Sequence, residues 1–107
     1  MASWSDLRTD LIRITGLKNV YYQPPSNVKM SYPCIRFELE SVDEMYASNR
    51  LYRTMVKYQI IYITNKVNDD IITLLPSELR YCTFDRPYSS DNLYHYVFEA
   101  VSYTHLR

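Results

Sequence analysis

Two stretches alternate apolar and polar residues with the period of a half-buried strand, and their alternation restricts how they can pair. In Cys34 to Ser41, Ile35, Phe37 and Leu39 share one face while Arg36, Glu38 and Glu40 share the other. Arg53 to Thr64 is the second stretch. One register sets Ile35 against Ile60, Phe37 against Tyr58 and Leu39 against Val56, with Glu38 opposite Lys57 and Arg36 opposite Gln59. A one-residue slip would put Phe37 and Leu39 against Gln59 and Lys57, so the pattern predicts an antiparallel hairpin in that register. Its tip, Asp43 to Leu51, contains no glycine or proline and is expected to be a long, mobile loop that orders against a partner. Beyond Gln59 the second strand is apolar on both faces (Ile60, Ile61, Tyr62, Ile63), so helices or another subunit should cover both sides.

Around this hairpin the other elements follow from local signals. Residues 3–15 read as an amphipathic helix capped by Ser3 or Ser5, with Asp6 at its N-terminal dipole. Leu7, Leu11 and Ile14 form its apolar stripe, and Trp4 lies one turn earlier. Gly16 is placed to supply the left-handed residue that ends it. A short strand from Asn19 to Tyr22 stops at Pro24 and Pro25, and an irregular link runs to Pro33. Asn68 can cap a second helix containing Ile71, Leu74 and Leu75, which Pro76 ends or kinks. Arg80 to Phe84 is a brief strand before an Asp85-Arg86-Pro87 turn. After the Ser-Ser-Asp-Asn corner, Leu93 to Tyr103 is the last long strand, with Tyr94, Tyr96 and Phe98 on one face and Leu93, Val97 and Val101 on the other. The expectation is one α+β domain over residues 1–107, a mixed, mostly antiparallel sheet of four to five strands flanked by two helices.

Composition narrows the function. Twelve basic and twelve acidic side chains cancel. A zero balance argues against non-specific nucleic-acid binding, which needs a surplus of Lys and Arg to displace counterions. It suits self-association, because neutral copies have little global repulsion. Twelve tyrosines supply amphipathic rings of the kind common at interfaces, although strands favour tyrosine for their own reasons. The single glycine excludes both the P-loop and the dinucleotide fingerprint. No run approaches the ~20 apolar residues of a membrane span, and no membrane partner is expected.

Catalytic and metal chemistry find little support. Cys34, Cys82, His95 and His105 lack any close metal-ligand spacing. Cys34 or Cys82 with His95 and Asp85 is the one conceivable nucleophilic set, but no tight glycine elbow activates either thiol. Both cysteines sit in strand-like segments and are expected to be buried and reduced. Asp69, Asp70 and Glu78 are better read as helix-terminal acids than as paired acids for glycoside chemistry. No enzyme and no cofactor are expected. A tyrosine-studded sheet also fits a single-stranded nucleic-acid platform, but no basic, glycine-containing aromatic motif accompanies it.

Tyr21 to Glu40 (YYQPPSNVKMSYPCIRFELE) and Tyr81 to Tyr103 (YCTFDRPYSSDNLYHYVFEAVSY) together resemble the small tail-terminator and head-to-tail joining proteins of long-tailed bacteriophages. The likeness is in Tyr21 to Pro25, the Tyr32-Pro33 step into a strand, and Tyr81 to Phe98. It implies a curved mixed sheet flanked by helices and a hexameric ring. It further implies a structural role: capping the finished tail tube and offering a docking surface to the head connector, or a related stopper role in the neck. The implied partners are further copies of the chain, the tail tube protein and the head-tail connector. The implied site is the neck of the virion, after synthesis in the host cytoplasm. Contacts between subunits or with the tube are expected from Tyr46 and Arg50 at the hairpin tip, from Glu38 and Glu40 against Arg50 or Arg53 of the next copy, and from Asp85 and Arg86.

Overall fold

The computed structural model describes residues 4–24, 29, 31–47, 50–67 and 70–105, with backbone alone for residues 47, 50–53 and 103–105. The elements run α1 (Trp4–Thr15), β1 (Val20–Tyr22), β2 (Cys34–Ala47), β3 (Arg50–Thr64), α2 (Asp70–Glu78), β4 (Cys82–Ser90) and β5 (Leu93–His105), in the order expected from the sequence. They form an α+β domain with a five-stranded sheet ordered β1-β2-β3-β5-β4. Only the β1–β2 pair is parallel; the other three are antiparallel.

The α1 stripe works as its spacing requires. Leu7 and Leu11 are fully buried, each stabilising the fold by about 1.5–3 kcal/mol. Gly16 adopts φ 73° and its N–H donates to the Ile12 carbonyl at 2.9 Å, closing the helix. Ser5 lies inside the helix rather than at its cap, and Ser3 falls outside the described residues. Trp4 is half exposed and stacks on Tyr22 with ring centroids 4.8 Å apart, pinning the helix start to β1. In α2, Ile71 and Leu75 are buried, and Pro76 sits within the helix instead of ending it. The proposed Asn68 cap lies outside the described residues.

Both helices pack on one side of the sheet. The core joins Leu7, Leu11, Ile71, Leu75 and Leu79 to Ile35, Phe37, Tyr58, Ile60, Tyr62, Tyr96 and Phe98. The expected faces of β5 hold, with Tyr96 and Phe98 in this core and Val97 on the opposite side.

The hairpin differs from expectation in register and length. Phe37 faces Ile60 and Leu39 faces Tyr58, two residues from the predicted pairing. A two-residue shift keeps every side chain on its own face, so burial of one face does not distinguish the two registers. Glu38 consequently faces Gln59, and Arg36 faces Ile61. The expected loop from Asp43 to Leu51 is ladder instead: pairing runs from Met45 and Arg53 out to Ala47 and Arg50. Residues 48–49 alone link the strands. Two irregularities absorb the extra length, one at Glu40 and one at Tyr52.

The Asp85-Arg86-Pro87 turn is likewise strand. β4 continues through it to Ser90, with Asp85 the extra residue of a bulge between Phe84 and Arg86. The corner expected at Ser-Ser-Asp-Asn stands, its turn made by Asp91-Asn92, both at positive φ (53° and 63°), the pair of left-handed residues a tight hairpin turn demands.

Candidate protein-interaction site

Strand length creates the feature that sets this domain apart. β2 and β3 have 14 and 15 residues, long for strands of a small domain. At ~3.4 Å per residue they account for the 51 Å long axis. The radius of gyration is 15.1 Å, against about 13 Å for a compact chain of this size. β1 pairs only with Ile35 to Phe37, and β4 pairs with β5 only as far as Ala100. Past these points β2, β3 and β5 continue as a three-stranded arm.

The arm carries apolar side chains that the helices do not reach. Leu39 and Val42 pair with Tyr58 and Val56, which places them on the helix side, yet both stay exposed. Met45 and Tyr46 are 55% and 65% exposed. The Tyr46 hydroxyl donates to Glu44 Oε2 at 3.3 Å, leaving its ring free to meet a partner. Tyr46 is thus accessible, as a contact residue must be, but on a paired strand rather than a loop. Arg50 and Arg53 lie on the same arm, with Ala47 facing Arg50 and Met45 facing Arg53; their side chains lie outside the described residues.

The second surface is the sheet face away from the helices, where three rows cross four strands. Cys34, Ile63, His95 and Tyr88 form one, and Arg36, Ile61, Val97 and Arg86 the next. Glu38, Gln59, Glu99 and Thr83 form the third. Of the cover expected on both faces of β3, by helices or by another subunit, the two helices supply one side. Even so, Cys34, Val97 and Ile63 are buried. Arg36 Nη2 lies 3.9 Å from Glu38 Oε2, and Arg36 Nε is buried with no hydrogen-bond partner. Glu38 therefore has an intramolecular partner, whereas Glu40 is exposed at the β2 irregularity. Asp85 and Arg86 pair with each other at 2.6 Å on the exposed β4 edge. The seven residues singled out from the sequence thus divide three ways: Glu38 in the third row of the sheet face, Glu40, Tyr46, Arg50 and Arg53 on the arm, and the Asp85–Arg86 pair on the β4 edge.

One aromatic contact escaped sequence reasoning. Tyr88 stacks on His95 with centroids 4.5 Å apart, above a cleft of about 180 Å³ lined by Pro87, Ser89, Tyr94 and Tyr96. His95 Nδ1 is 3.2 Å from the Leu93 carbonyl, which occupies one ring nitrogen. The only signal available was the two-residue hairpin turn, which sets Tyr88 opposite His95.

Burial governs the thiols. It pushes the Cys34 thiol up to about 11 and the Cys82 thiol up to about 12, so both stay protonated and unreactive near neutrality. Both are free cysteines. Among the described residues no group of His, Cys, Asp and Glu gathers as a metal site, and no helix is long and apolar enough to cross a membrane. Compared with known proteins, the chain matches no family model and no curated sequence.

Proposed function

We propose that this chain is a structural subunit that assembles as a closed ring on the top of a phage tail tube, caps the completed tube and offers the docking surface for the head connector. The observation that carries the reading is the arm: a three-stranded extension that stands clear of its own core and displays Val42, Met45 and Tyr46. Exposed apolar side chains on paired strands, Val42 and Tyr46 on one face and Met45 on the other, offer surface to a protein partner. A chain with balanced charge can pack against copies of itself without global repulsion. The likeness of Tyr21 to Glu40 and Tyr81 to Tyr103 to tail-terminator proteins supplies the setting.

The test is genetic and structural together. In particles assembled without this chain, tails of uncontrolled length are the expected result. Tails of normal length that fail to join heads would assign it the neighbouring stopper role. Normal, infectious particles would overturn both.

A further inference from the structure

The two edges of the sheet are protected unequally. Open strand edges invite pairing with other chains, and proteins blunt them with bulges, prolines and charges. On the β4 edge all three devices are present: the bulge at Asp85, Pro87, and the Asp85–Arg86 ion pair. Among the described residues the arm's flanks hold no proline and no ion pair; the β2 edge has a bulge at its base, at Glu40, and beyond it only the acids Asp43 and Glu44. On one flank the β1 ladder ends where Gln23 N–H donates to the Phe37 carbonyl and Leu39 N–H donates to Gln23 Oε1. From Glu40 to Ala47, no strand among the described residues pairs with the outer edge of β2. On the other flank Val101 N–H donates to the Tyr81 carbonyl, and from Tyr103 to His105 no described strand pairs with the outer edge of β5.

We propose that copies of this chain join edge to edge through the arm, the β5 end of one copy adding as a strand to the distal half of β2 in the next. The geometry suits a repeat. Glu44, Thr54 and Thr104 stand in one row, so the two open edges lie at the same level on opposite sides of one arm. β2 and β5 are both antiparallel to β3 and hence run parallel to each other. A rotation about an axis along the arm therefore brings one edge to the other, and repetition gives a heterologous interface that can close. Charge selects this pairing over its rival. Residues 40–47 hold Glu40, Asp43 and Glu44 with no Lys or Arg, whereas β5 from Ala100 to His105 holds no acid. Two β2 edges set together about a two-fold axis would bring acids against acids, which is destabilising. The added strand takes its affinity from main-chain hydrogen bonds and its register from side chains such as Val42 and Tyr46. Closure of the ring rests on the functional reading above; the edge contact itself does not.

Disulfide trapping tests it. Within one chain residues 44 and 104 are two strands apart, about 10 Å, beyond the reach of a disulfide. Any bond between them is therefore intermolecular. The full chain would carry Thr104→Cys with Val42→Cys, Glu44→Cys or Tyr46→Cys in turn, to allow for a two-residue offset. Buried Cys34 and Cys82 stay reduced. Under mild oxidation one double variant should give a ladder of covalent multimers, while each single-cysteine variant gives dimers at most. Glu44→Cys alone cross-linking as efficiently as the pair would overturn the proposal in favour of two-fold pairing. Multimers of native mass with no cross-link in any pair would overturn the edge contact and leave the ring reading standing. A chain that is monomeric at every concentration and never cross-links would overturn both.

Discussion

Phe37 shows what a single residue does in this fold. It is fully buried between Tyr22 and Tyr58, with ring centroids 4.9 and 6.3 Å away, and so joins the edge strand β1 to the middle of the sheet. Phe37→Ala should cost about 3–5 kcal/mol, read as a lower denaturation midpoint at unchanged slope. Gly16 makes a different case. A Cβ added there meets nothing within 4 Å, so the penalty of Gly16→Ala is conformational alone, about 1–2 kcal/mol at φ 73°. The thiols make a pH prediction. Because burial holds Cys34 and Cys82 at about 11 and about 12 against an ordinary 9.0, the folded state keeps protons that the unfolded state gives up. Their contribution is complete below pH 9.0 and is lost as pH rises toward those values. Tyr58, raised by burial and by nearby Tyr22, acts in the same direction. Stability should therefore fall through that range, and Cys34→Ala with Cys82→Ala should flatten the decline in denaturation curves taken at successive pH values. At pH 8 neither native thiol should react with a thiol reagent until the chain unfolds.

Among the elements, the hairpin shows most plainly what sequence can and cannot specify. Alternation in Cys34 to Ser41 identified the buried face of β2 correctly, because inward and outward residues differ in polarity. It could not separate the observed register from one shifted by two residues, since both bury Ile35 and Phe37 against apolar partners. Asp43, Glu44 and Met45 broke the alternation, so the distal strand read as loop; pairing to β3 holds it extended without burial. The same cause hid the strand through Asp85 and Pro87, where a bulge absorbs the turn-like residues. Helices were easier to read, because Leu7 and Leu11 mark a buried stripe directly. Of the contact residues, the accessibility of Tyr46 was legible from its lack of core partners, whereas the internal pairing of Glu38 with Arg36 depends on the tertiary arrangement. The arm should tolerate surface change in the isolated subunit: Tyr46→Ser, at an exposed site, should alter unfolding free energy by no more than about 0.5 kcal/mol. The same change should raise the concentration needed for self-association, read by sedimentation. Equal association with and without the ring would remove Tyr46 from the interface.

At the scale of the whole molecule, a small core anchors a long, partly bare sheet. Two helices cover one face, three rows of side chains finish the other, and the arm carries the structure out to its 51 Å length. Such a shape leaves the arm open to the contacts with further copies proposed above. Balanced charge points those contacts away from nucleic acid: random single-stranded DNA at ~150 mM salt should bind no tighter than the weak non-specific range of about 10⁻⁴ M. Micromolar binding lost on replacing Tyr88 and Tyr94 would instead make the exposed aromatic cluster a base-stacking platform. The central claim, a subunit built to close a ring with its own copies, is tested most directly by the mass of the purified chain across a concentration series. The account predicts passage from the single-chain mass to one discrete multiple, the hexamer, with no larger species as concentration rises. A single-chain mass throughout, or growth without a ceiling, would contradict it.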